Sequence, residues 1–245
     1  MDLHTAVIVA GHGSLRNTGA RRPICAAVQA LRATGAYSEV RCALWKEDPP
    51  FAGALDRVSS SRVVVLPYFM AAGYYTDVVL PREMRLDGPL TRRAGRSVVV
   101  AEPLGTDARL AGIILERARE AGFDGSQSLA VLGHGTERSP ASARTTFEQV
   151  DRLHGAAPFV FPVFIDQEPR VTRIFDLCPG GDIILVPYFP ADGWHVSETL
   201  PADLGLQEGG IRREGRLLRV SAAAGSSPSI LPMVLDRVQA ASRLL

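Results

Sequence analysis

Short runs of valine, isoleucine and leucine alternate along this chain with longer segments in which apolar positions recur every three or four residues. The short runs are typical of buried strands, and the longer segments are typical of amphipathic helices. In the first half, strands are predicted in AVIVAGHGS, EVRCALW, RVVVLPYF and SVVVAEPLGTD. Helices are predicted in RRPICAAVQALRA, in the stretch that ends at Leu55 and in ARLAGIILERAREAG, whereas MAAGYYTDVVLPREM is predicted to be a loop. This alternation indicates βαβ units and therefore a parallel sheet with helices on both faces.

The second half of the chain repeats this order of elements. His12 has a counterpart 122 residues later in His134, and the tripeptide PYF recurs after 120 residues. Such a period is too long for a solenoid and indicates duplication of a whole domain. The segment GFDGSQ marks the boundary, so the sequence predicts domains at residues 1–124 and 125–245. We expect two similar α/β domains that face each other across a cleft, with ligands at the carboxyl ends of the strands.

Composition and charge narrow the possible functions. The 245 residues are 46% hydrophobic, which is enough for two cores of ordinary size. The net charge of +1 argues against a nucleic-acid partner, and no apolar stretch is long enough to span a membrane. The N-terminus carries no secretory signal, and the three widely spaced cysteines match neither a disulfide framework nor an iron–sulfur motif. We therefore expect a cytoplasmic protein that needs no organic cofactor.

A histidine between two glycines ends the first predicted strand of each half, at His12 and His134. The glycines remove side-chain bulk, so the backbone can turn sharply and a ligand can approach the imidazole. The following Ser14 and Thr136 suit the N-cap of the next helix. A single histidine of this kind would be explained by packing in a tight turn, but two copies at equivalent strand ends favour a functional site.

The loop after the PYF tripeptide makes the two halves chemically different. In the C-terminal half it contains His195 and, three residues on, Glu198, which share one face if the segment is helical. The N-terminal half has Tyr75 and Val78 at these positions. Two imidazoles and a carboxylate with open coordination positions suit a divalent transition metal in a reactive site. The sequence therefore predicts a metal site of His134, His195 and Glu198.

These motifs resemble those of the class II tetrapyrrole chelatases, in particular the CbiX/SirB type that inserts cobalt or ferrous iron into sirohydrochlorin. The resemblance rests on GHGS and GHGT at the strand ends and on the later PYF–GWH–LP loop, and it covers nearly the whole chain. It implies a tandem two-domain chelatase fold, a divalent metal and a tetrapyrrole as substrates, and a role in cobalamin or sirohaem biosynthesis. The family's metal-binding histidines correspond here to His134 and His195. Bacterial members of this type have the site in the N-terminal half, whereas this chain has it in the C-terminal half, as other class II chelatases do.

The resemblance also implies roles for individual residues. His134 and His195 would bind the ion loosely, and one of them or Glu198 would accept a pyrrole proton. Other side chains are predicted to bind the tetrapyrrole, namely His12, Tyr74, Tyr75, Trp194, Arg16, Arg138, Ser14 and Thr136. For the two arginines, a solvated position in the first helical turn is an equal alternative. Tyr68 and Tyr188 of the PYF tripeptides are expected to pack in the core.

Other functions share part of this pattern. A non-catalytic carrier of metal or tetrapyrrole would contain the same residues, so only turnover separates it from a chelatase. A phosphoryl-transfer enzyme with a histidine nucleophile is more remote, because histidine phosphatases have arginine before the His-Gly pair, where this chain has Gly11 and Gly133. A dinucleotide site is weaker still, because Arg16 and Arg138 stand where close helix packing needs a third glycine.

An acidic residue precedes proline at the same place in both halves, in the segments EDPP and DQEPR. Asp166 and Glu168 stand opposite Lys46 and Asp48 in the repeat. We interpret these residues as the start of a helix, and the alternative is a position at the border of the cavity.

Overall fold

The protein consists of two compact units. The computed structural model describes residues 2–15, 17–136 and 140–245, with backbone only at residues 2, 3, 18 and 140. Unit 1 comprises Met1–Asp107 together with Pro228–Leu245, and unit 2 comprises Ala108–Ser227. Each unit is therefore a complete α/β layer structure with its own sheet and its own core.

Strands and short α-helices alternate along both units. The strands are β1 (Asp2–Gly11), β2 (Tyr37–Leu44), β3 (Arg62–Pro67), β4 (Leu90–Arg93), β5 (Arg96–Val100), β6 (Ser128–Gly133), β7 (Val160–Phe164), β8 (Ile183–Pro187), β9 (Ile211–Arg213) and β10 (Arg216–Val220). The helices are α1 (Arg22–Ala33), α2 (Leu80–Met84), α3 (Leu110–Glu120), α4 (Pro140–Arg152), α5 (Ile174–Leu177), α6 (Leu200–Leu204) and α7 (Leu231–Ser242). Within the described part of the chain, no helix has the length and apolarity needed to cross a bilayer.

The two sheets have the same topology. The strand order is β2-β1-β3-β5-β4 in unit 1 and β7-β6-β8-β10-β9 in unit 2. Four strands of each sheet are parallel, which confirms the predicted βαβ organisation. The central strand β6 is buried along its whole length, as expected for a parallel strand covered on both faces.

The fifth strand of each sheet is antiparallel, and the sequence analysis missed it. β4 pairs with β5, and β9 pairs with β10, through tight two-residue turns. The turn residues Ala94 and Gly95 have φ values of 50° and 74°, and Glu214 and Gly215 have 50° and 79°. Positive φ at both central residues is typical of a hairpin turn, but neither Ala-Gly nor Glu-Gly is among its strong sequence signals.

The last helix of each repeat belongs to the other unit. α3 packs against β8 and α4 in unit 2, whereas α7 packs against β3, β5 and α1 in unit 1. The boundaries of the compact units therefore differ from the predicted division into residues 1–124 and 125–245. The first segment of unit 1 ends at Asp107, before α3, and its second segment contains α7. A repeat in sequence shows that a helix must cover a sheet, but it does not show which of two similar sheets is covered.

The segment after β3 is helical, contrary to the prediction of a loop. Tyr75–Val79 forms a π-helical turn that continues into α2, and His195–Thr199 does the same before α6. Conversely, the stretch predicted to be a helix up to Leu55 forms turns, and a single 3₁₀ turn, Leu55–Arg57, begins only at its last residue. Elements of three to five residues are too short for a period in the apolar pattern to identify them.

The exchange of helices predicts which unit each helix stabilises. Val234 in α7 and Ile114 in α3 are fully buried at equivalent places of the repeat. We expect Val234→Asp to open unit 1 and Ile114→Asp to open unit 2, because each variant buries an unpaired carboxylate at a cost of at least ~2 kcal/mol. Amide hydrogen exchange should accelerate in β1 and β3 for the first variant and in β6 and β8 for the second. Faster hydrogen exchange in β6 and β8 for Val234→Asp, and in β1 and β3 for Ile114→Asp, would contradict the assignment of α7 to unit 1 and α3 to unit 2.

Gly225 predicts a close approach of two backbone segments in unit 2. A Cβ atom here would lie 2.5 Å from Cα of Pro190 and 2.6 Å from the carbonyl oxygen of Phe189. We expect Gly225→Ala to lower the free energy of unfolding by about 1–3 kcal/mol. Gly112→Ala in α3, where nothing lies within 4 Å of the added atom, should raise it by about 0.5–1 kcal/mol. Urea unfolding of both variants provides the comparison, and a stable Gly225→Ala protein would argue against this packing.

Candidate functional site

In unit 2, three parallel strands end at one edge of the sheet, and each is followed by a segment with polar side chains. β6, β7 and β8 are paired in register up to this edge. The N–H of Asp166 donates to the carbonyl of His134 (3.0 Å), and the N–H of Tyr188 donates to the carbonyl of Leu132 (2.7 Å). These backbone hydrogen bonds hold the three segments beside one another just beyond the strands.

The two glycines around His134 have different structural roles. A Cβ on Gly133 would lie 2.4 Å from Oγ1 of Thr146, so the strand end packs directly on α4. Gly135 has a φ of +70°, and a Cβ there would lie 2.5 Å from Cγ of Gln167. The Gln167 side chain accepts the next backbone N–H at 2.8 Å and closes the turn. The expected sharp turn is therefore made by Gly135, whereas Gly133 serves close packing.

His195 lies at the start of the π-helical turn His195–Thr199. The carbonyl of Gly193 accepts two backbone N–H groups, at 3.0 and 3.1 Å, and so starts the turn. The Oγ1 atom of Thr199 lies 3.3 Å from Nδ1 of His195. The segment is helical, as the pairing of His195 with Glu198 required, and it places Thr199 beside the imidazole. Single π-helical turns are frequent at functional sites.

The imidazoles of His134 and His195 meet at this edge of the sheet. Their ring centroids are 5.0 Å apart, and the ring planes are nearly perpendicular at 88°. Nδ1 of His134 lies 3.0 Å from the carbonyl oxygen of Gly135 and 3.3 Å from Oδ2 of Asp166. The bond to the Gly135 carbonyl requires a proton on Nδ1, and in the neutral ring this leaves the lone pair on Nε2. Metal-binding histidines are commonly held in this way through their other nitrogen.

Asp166 is the site residue that the sequence analysis undervalued. Its interpretation as a helix-start residue is wrong, since the next helical turn begins only at Val171. The half-exposed carboxylate instead lies against the His134 ring, at the border of the candidate site. The repeat contains a sign of this role, because Lys46 is the equivalent residue in unit 1. Helix capping does not readily explain why one repeat has a positive and the other a negative side chain at the same strand end.

Glu198 is not brought into the same cluster. It is an exposed residue of the π-helical turn. Across residues 2–15, 17–136 and 140–245, no three His, Cys, Asp or Glu side chains are grouped so as to hold a metal ion. The structure thus brings together His134, His195 and Asp166 by pairwise contacts. The role of Glu198 as a ligand remains a prediction.

The same edge of unit 1 repeats this geometry with different chemistry. The rings of His12 and Tyr75 have centroids 5.0 Å apart and planes at 84°, and Nδ1 of His12 lies 2.8 Å from the carbonyl oxygen of Gly13. Tyr75 also stacks on Phe69 (6.0 Å, 12°) and meets the ring of Tyr74 at 5.7 Å. An imidazole within an aromatic cluster therefore takes the place of the two imidazoles of unit 2.

Ser14 does not have the capping role predicted for it. Its hydroxyl accepts the N–H of Asn17 at 3.2 Å, but Asn17 itself is the N-cap of the following 3₁₀ turn and accepts the N–H of Gly19 at 2.8 Å. The chain takes three more residues after Ser14 before it becomes helical, so the cap falls on Asn17. Thr136 immediately precedes residues 137–139, which lie outside the described residues, and its capping role remains a prediction.

The structure describes Trp194 and the two tyrosines of the PYF tripeptides but not the two arginines. Arg16 and Arg138 are outside the described residues. Trp194 is 43% exposed beside His195, as a surface that binds a flat ligand would require. Tyr68 and Tyr188 are buried, at 1% and 2% exposure, which confirms that they pack in the core. Burial raises the pKa of the Tyr68 hydroxyl above its ordinary value.

Solved structures identify this fold as that of the chelatases. A multi-domain protein from Deinococcus radiodurans, DR2241, described as structurally similar to chelatases, matches with a TM-score of 0.79 and 26% identity over 96% of this chain. This chain spans only 55% of that protein, which has two additional domains. CbiX, described as the terminal enzyme of sirohaem biosynthesis in denitrifying bacteria, matches with a TM-score of 0.73 and 26% identity over 97% of this chain and 99% of its own. SirB from Bacillus subtilis, solved with Fe³⁺, has the same fold (TM-score 0.78, 17% identity, 97% and 95% coverage).

Sequence comparison assigns the family within this class. The CbiX family model matches twice, over residues 6–121 and 128–241. A protein of Halobacterium salinarum named "probable sirohydrochlorin cobaltochelatase" is 33% identical over 95% of this chain and 90% of its own length. The chain therefore belongs to the CbiX family, and each repeat matches the family model separately. The resemblance and the α/β fold of two tandem chelatase-like domains predicted from the motifs are confirmed.

The turn around His134 predicts a specific effect of Gly135. Gly135→Ala would place a side chain at positive φ and against Gln167, whereas Gly155→Ala would place one at a φ of +87° with nothing within 4 Å. Both variants should lose about 1 kcal/mol of stability from the backbone. Only Gly135→Ala should also weaken Co²⁺ binding, by about tenfold, because it displaces the group that orients His134. Titration of Co²⁺ absorption bands tests this, and equal affinities in the two variants would contradict it.

Proposed function

We propose that this protein inserts a divalent metal ion, cobalt or ferrous iron, into sirohydrochlorin or a related tetrapyrrole. The reaction is of the lyase type assigned to chelatases, and its site is the carboxyl edge of the sheet in unit 2. The observation that carries the proposal is the His134–His195 pair, with Nδ1 of His134 hydrogen-bonded to the carbonyl of Gly135 and 3.3 Å from Oδ2 of Asp166. The name of the Halobacterium salinarum relative supports the same substrate class.

The site is suited to hold a metal ion briefly. Two imidazoles offer fewer ligands than the closed four-ligand sites that retain zinc permanently, so open positions remain for water and for the incoming macrocycle. Imidazole nitrogen binds the divalent first-row ions, with an affinity order that does not by itself select cobalt over iron. Asp166 lies beside Nδ1 of His134 and not beside Nε2, so it can help to orient the ring without acting as a ligand. We infer a loosely bound ion that can be handed over.

Insertion also requires that two pyrrole N–H protons leave the macrocycle. The Nε2 atom of His134 can accept a proton once the ion has left it, because ion and proton compete for the same lone pair. Oδ2 of Asp166 lies 3.3 Å from Nδ1, the other ring nitrogen. For the exposed Glu198 we propose a role in passing protons on to solvent.

Unit 1 is the less suitable place for the ion. Where unit 2 has Asp166, His195 and Glu198, unit 1 has Lys46 and two uncharged residues. A lysine charge opposes a divalent cation at close range, whereas carboxylates attract it. We therefore propose that His12 and Tyr75 contribute to tetrapyrrole binding rather than to metal transfer.

Exposed apolar side chains support a surface for a flat macrocycle in unit 1. Four of them follow β1 and β3 at the carboxyl edge: Leu15, Tyr74, Tyr75 and Val78. Aromatic rings stack on flat conjugated ligands, and Trp194 offers such a ring in unit 2. Ser14 and Thr136 could donate to carboxylate substituents, and Arg16 and Arg138 could pair with them.

The remaining parts of the proposal concern location and cofactor. The three cysteines, Cys25, Cys42 and Cys178, are free thiols, which is typical of proteins kept in a reducing compartment, and we propose the cytoplasm. Metal insertion into a preformed macrocycle transfers no electrons, so the proposed reaction needs no organic cofactor. The ion enters as a substrate.

The proposal predicts unequal effects of the histidines. His134→Ala and His195→Ala should lower kcat for metal insertion by about 10²-fold or more, because each removes a ligand and a potential proton acceptor. His12→Ala should instead raise KM for the tetrapyrrole and leave kcat largely unchanged. Anaerobic spectrophotometry of sirohydrochlorin with Co²⁺ or Fe²⁺ measures both constants.

Two results would contradict this assignment. Equal loss of kcat in His12→Ala and His195→Ala would show that the working site is not confined to unit 2. Tight pigment binding by the unaltered protein without insertion would favour the carrier function. Thermal unfolding of each variant serves as the control for lost structure.

A further inference from the structure

The loop that leads to His195 is anchored by one carboxylate. Oδ1 of Asp192 accepts the backbone N–H of Ala223 at 2.6 Å, and Oδ2 of Asp192 lies 2.6 Å from the hydroxyl of Ser226. The same hydroxyl lies 2.9 Å from the carbonyl oxygen of Ala223. Asp192 thus joins the segment after β8 to the segment after β10.

The segment that receives Asp192 is itself fixed. Arg117 of α3 lies 3.4 Å from the hydroxyl of Ser226, and Glu116 of the same helix bonds Ser227 at 3.0 Å. The N–H of Gly225 donates to the carbonyl of Phe189 at 2.9 Å. Asp192 is therefore connected to α3 through residues 224–227. The same residues also hydrogen-bond Phe189, at the beginning of the loop that contains Asp192.

The anchor lies next to the turn that orients His195. Gly193, directly after Asp192, supplies the carbonyl that starts the π-helical turn. Only Trp194 lies between Gly193 and His195 along the chain. A displacement of Asp192 should therefore also displace the His195 ring. The centroid of this ring lies 5.0 Å from that of the His134 ring.

Unit 1 is an internal control for this feature. Its equivalent loop contains Ala72 in place of Asp192, and Thr106 in place of Ser226. The backbone contact is retained, since the N–H of Gly105 donates to the carbonyl of Phe69 at 2.9 Å. The arginine contact is retained too, since Arg237 lies 3.1 Å from the Thr106 hydroxyl. The carboxylate and the Ala223 N–H that it accepts, where unit 1 has Ala72 and Pro103, are therefore present only in the unit whose loop has an imidazole.

We propose that Asp192 is a positioning residue that sets the distance and angle between the His195 and His134 rings. The proposal rests on the function proposed above, in which both rings bind the ion. Asp192 does not contact the ion or the tetrapyrrole in this account, and it acts by restraining the loop.

The test compares Asp192→Ala with Asp192→Asn. The alanine variant loses both anchors, and we expect Co²⁺ affinity and kcat/KM for the metal to fall about 10-fold to 100-fold, because small displacements in a reacting geometry have effects of this size. The asparagine variant should recover most of the loss, because its amide oxygen accepts from Ala223 and its amide nitrogen donates to Ser226. Thr106→Ala, the unit 1 counterpart of Ser226→Ala, should leave both values unchanged.

A second measurement does not depend on metal or activity. The ring ¹H–¹³C signals of the histidines, with the His195 signal assigned by its loss in His195→Gln, should shift for His195 and not for His12 in Asp192→Ala. Ser226→Ala, which removes one of the two anchors, should give a smaller shift and replaces Asp192→Ala if that variant fails to fold.

These results separate the two proposals. An unchanged His195 signal and Co²⁺ affinity in Asp192→Ala would overturn the positioning role. An equal loss in Asp192→Asn would also overturn it, because charge rather than geometry would then be responsible. If the unaltered protein inserts no metal, the proposed function fails, and the His195 signal still decides whether Asp192 sets the ring position.

Discussion

Parallel strands that end at one edge of a buried sheet bring the candidate site together. In unit 2 the carboxyl ends of β6, β7 and β8 are adjacent. His134, Asp166 and the loop that leads to His195 therefore lie side by side just beyond the hydrogen-bonded part of the sheet. Backbone hydrogen bonds from Tyr188 to Leu132 and from Asp166 to His134 hold this arrangement without a contribution from side chains. The polar groups are in contact because the sheet is parallel and apolar below them.

Duplication has preserved this framework while its chemistry has changed. The His134–His195 rings and the His12–Tyr75 rings have the same centroid distance of 5.0 Å and nearly the same angle. The backbone therefore sets the ring geometry, since two different aromatic side chains adopt it at equivalent positions. One unit could then have a second imidazole and one carboxylate, Asp166, beside its first imidazole, while the other has an aromatic surface, with little change in fold. Asp192, with its counterpart Ala72, is a further difference of this kind.

The exchanged helices have a consequence for how each unit is stabilised. α7 lies at the end of the chain, yet it covers the sheet of unit 1, and α3 follows that sheet yet covers the sheet of unit 2. Neither repeat, taken as a continuous segment of sequence, contains all the apolar surface that buries its own sheet. Arg237 and Arg117 repeat the same contact in the two units, to Thr106 and Ser226, so the exchange is symmetrical.

The sequence by itself determined the elements whose patterns are local or repeated. Continuous apolar runs identified the parallel strands, because strands covered on both faces have no polar side to interrupt them. The repeat identified two equivalent units, and the contrast of His195 with Tyr75 predicted which unit holds the metal site proposed above, because that prediction uses residue type alone.

Only the tertiary structure decided which sheet each last helix covers, since either helix has an apolar face that fits a similar sheet. It alone placed Asp166 against His134 and Thr199 beside His195, because these contacts depend on where the chain leaves the strand and on the pitch of a π-helical turn. The anchoring of the His195 loop by Asp192 was likewise not visible in sequence, because its partners lie more than 30 residues away along the chain.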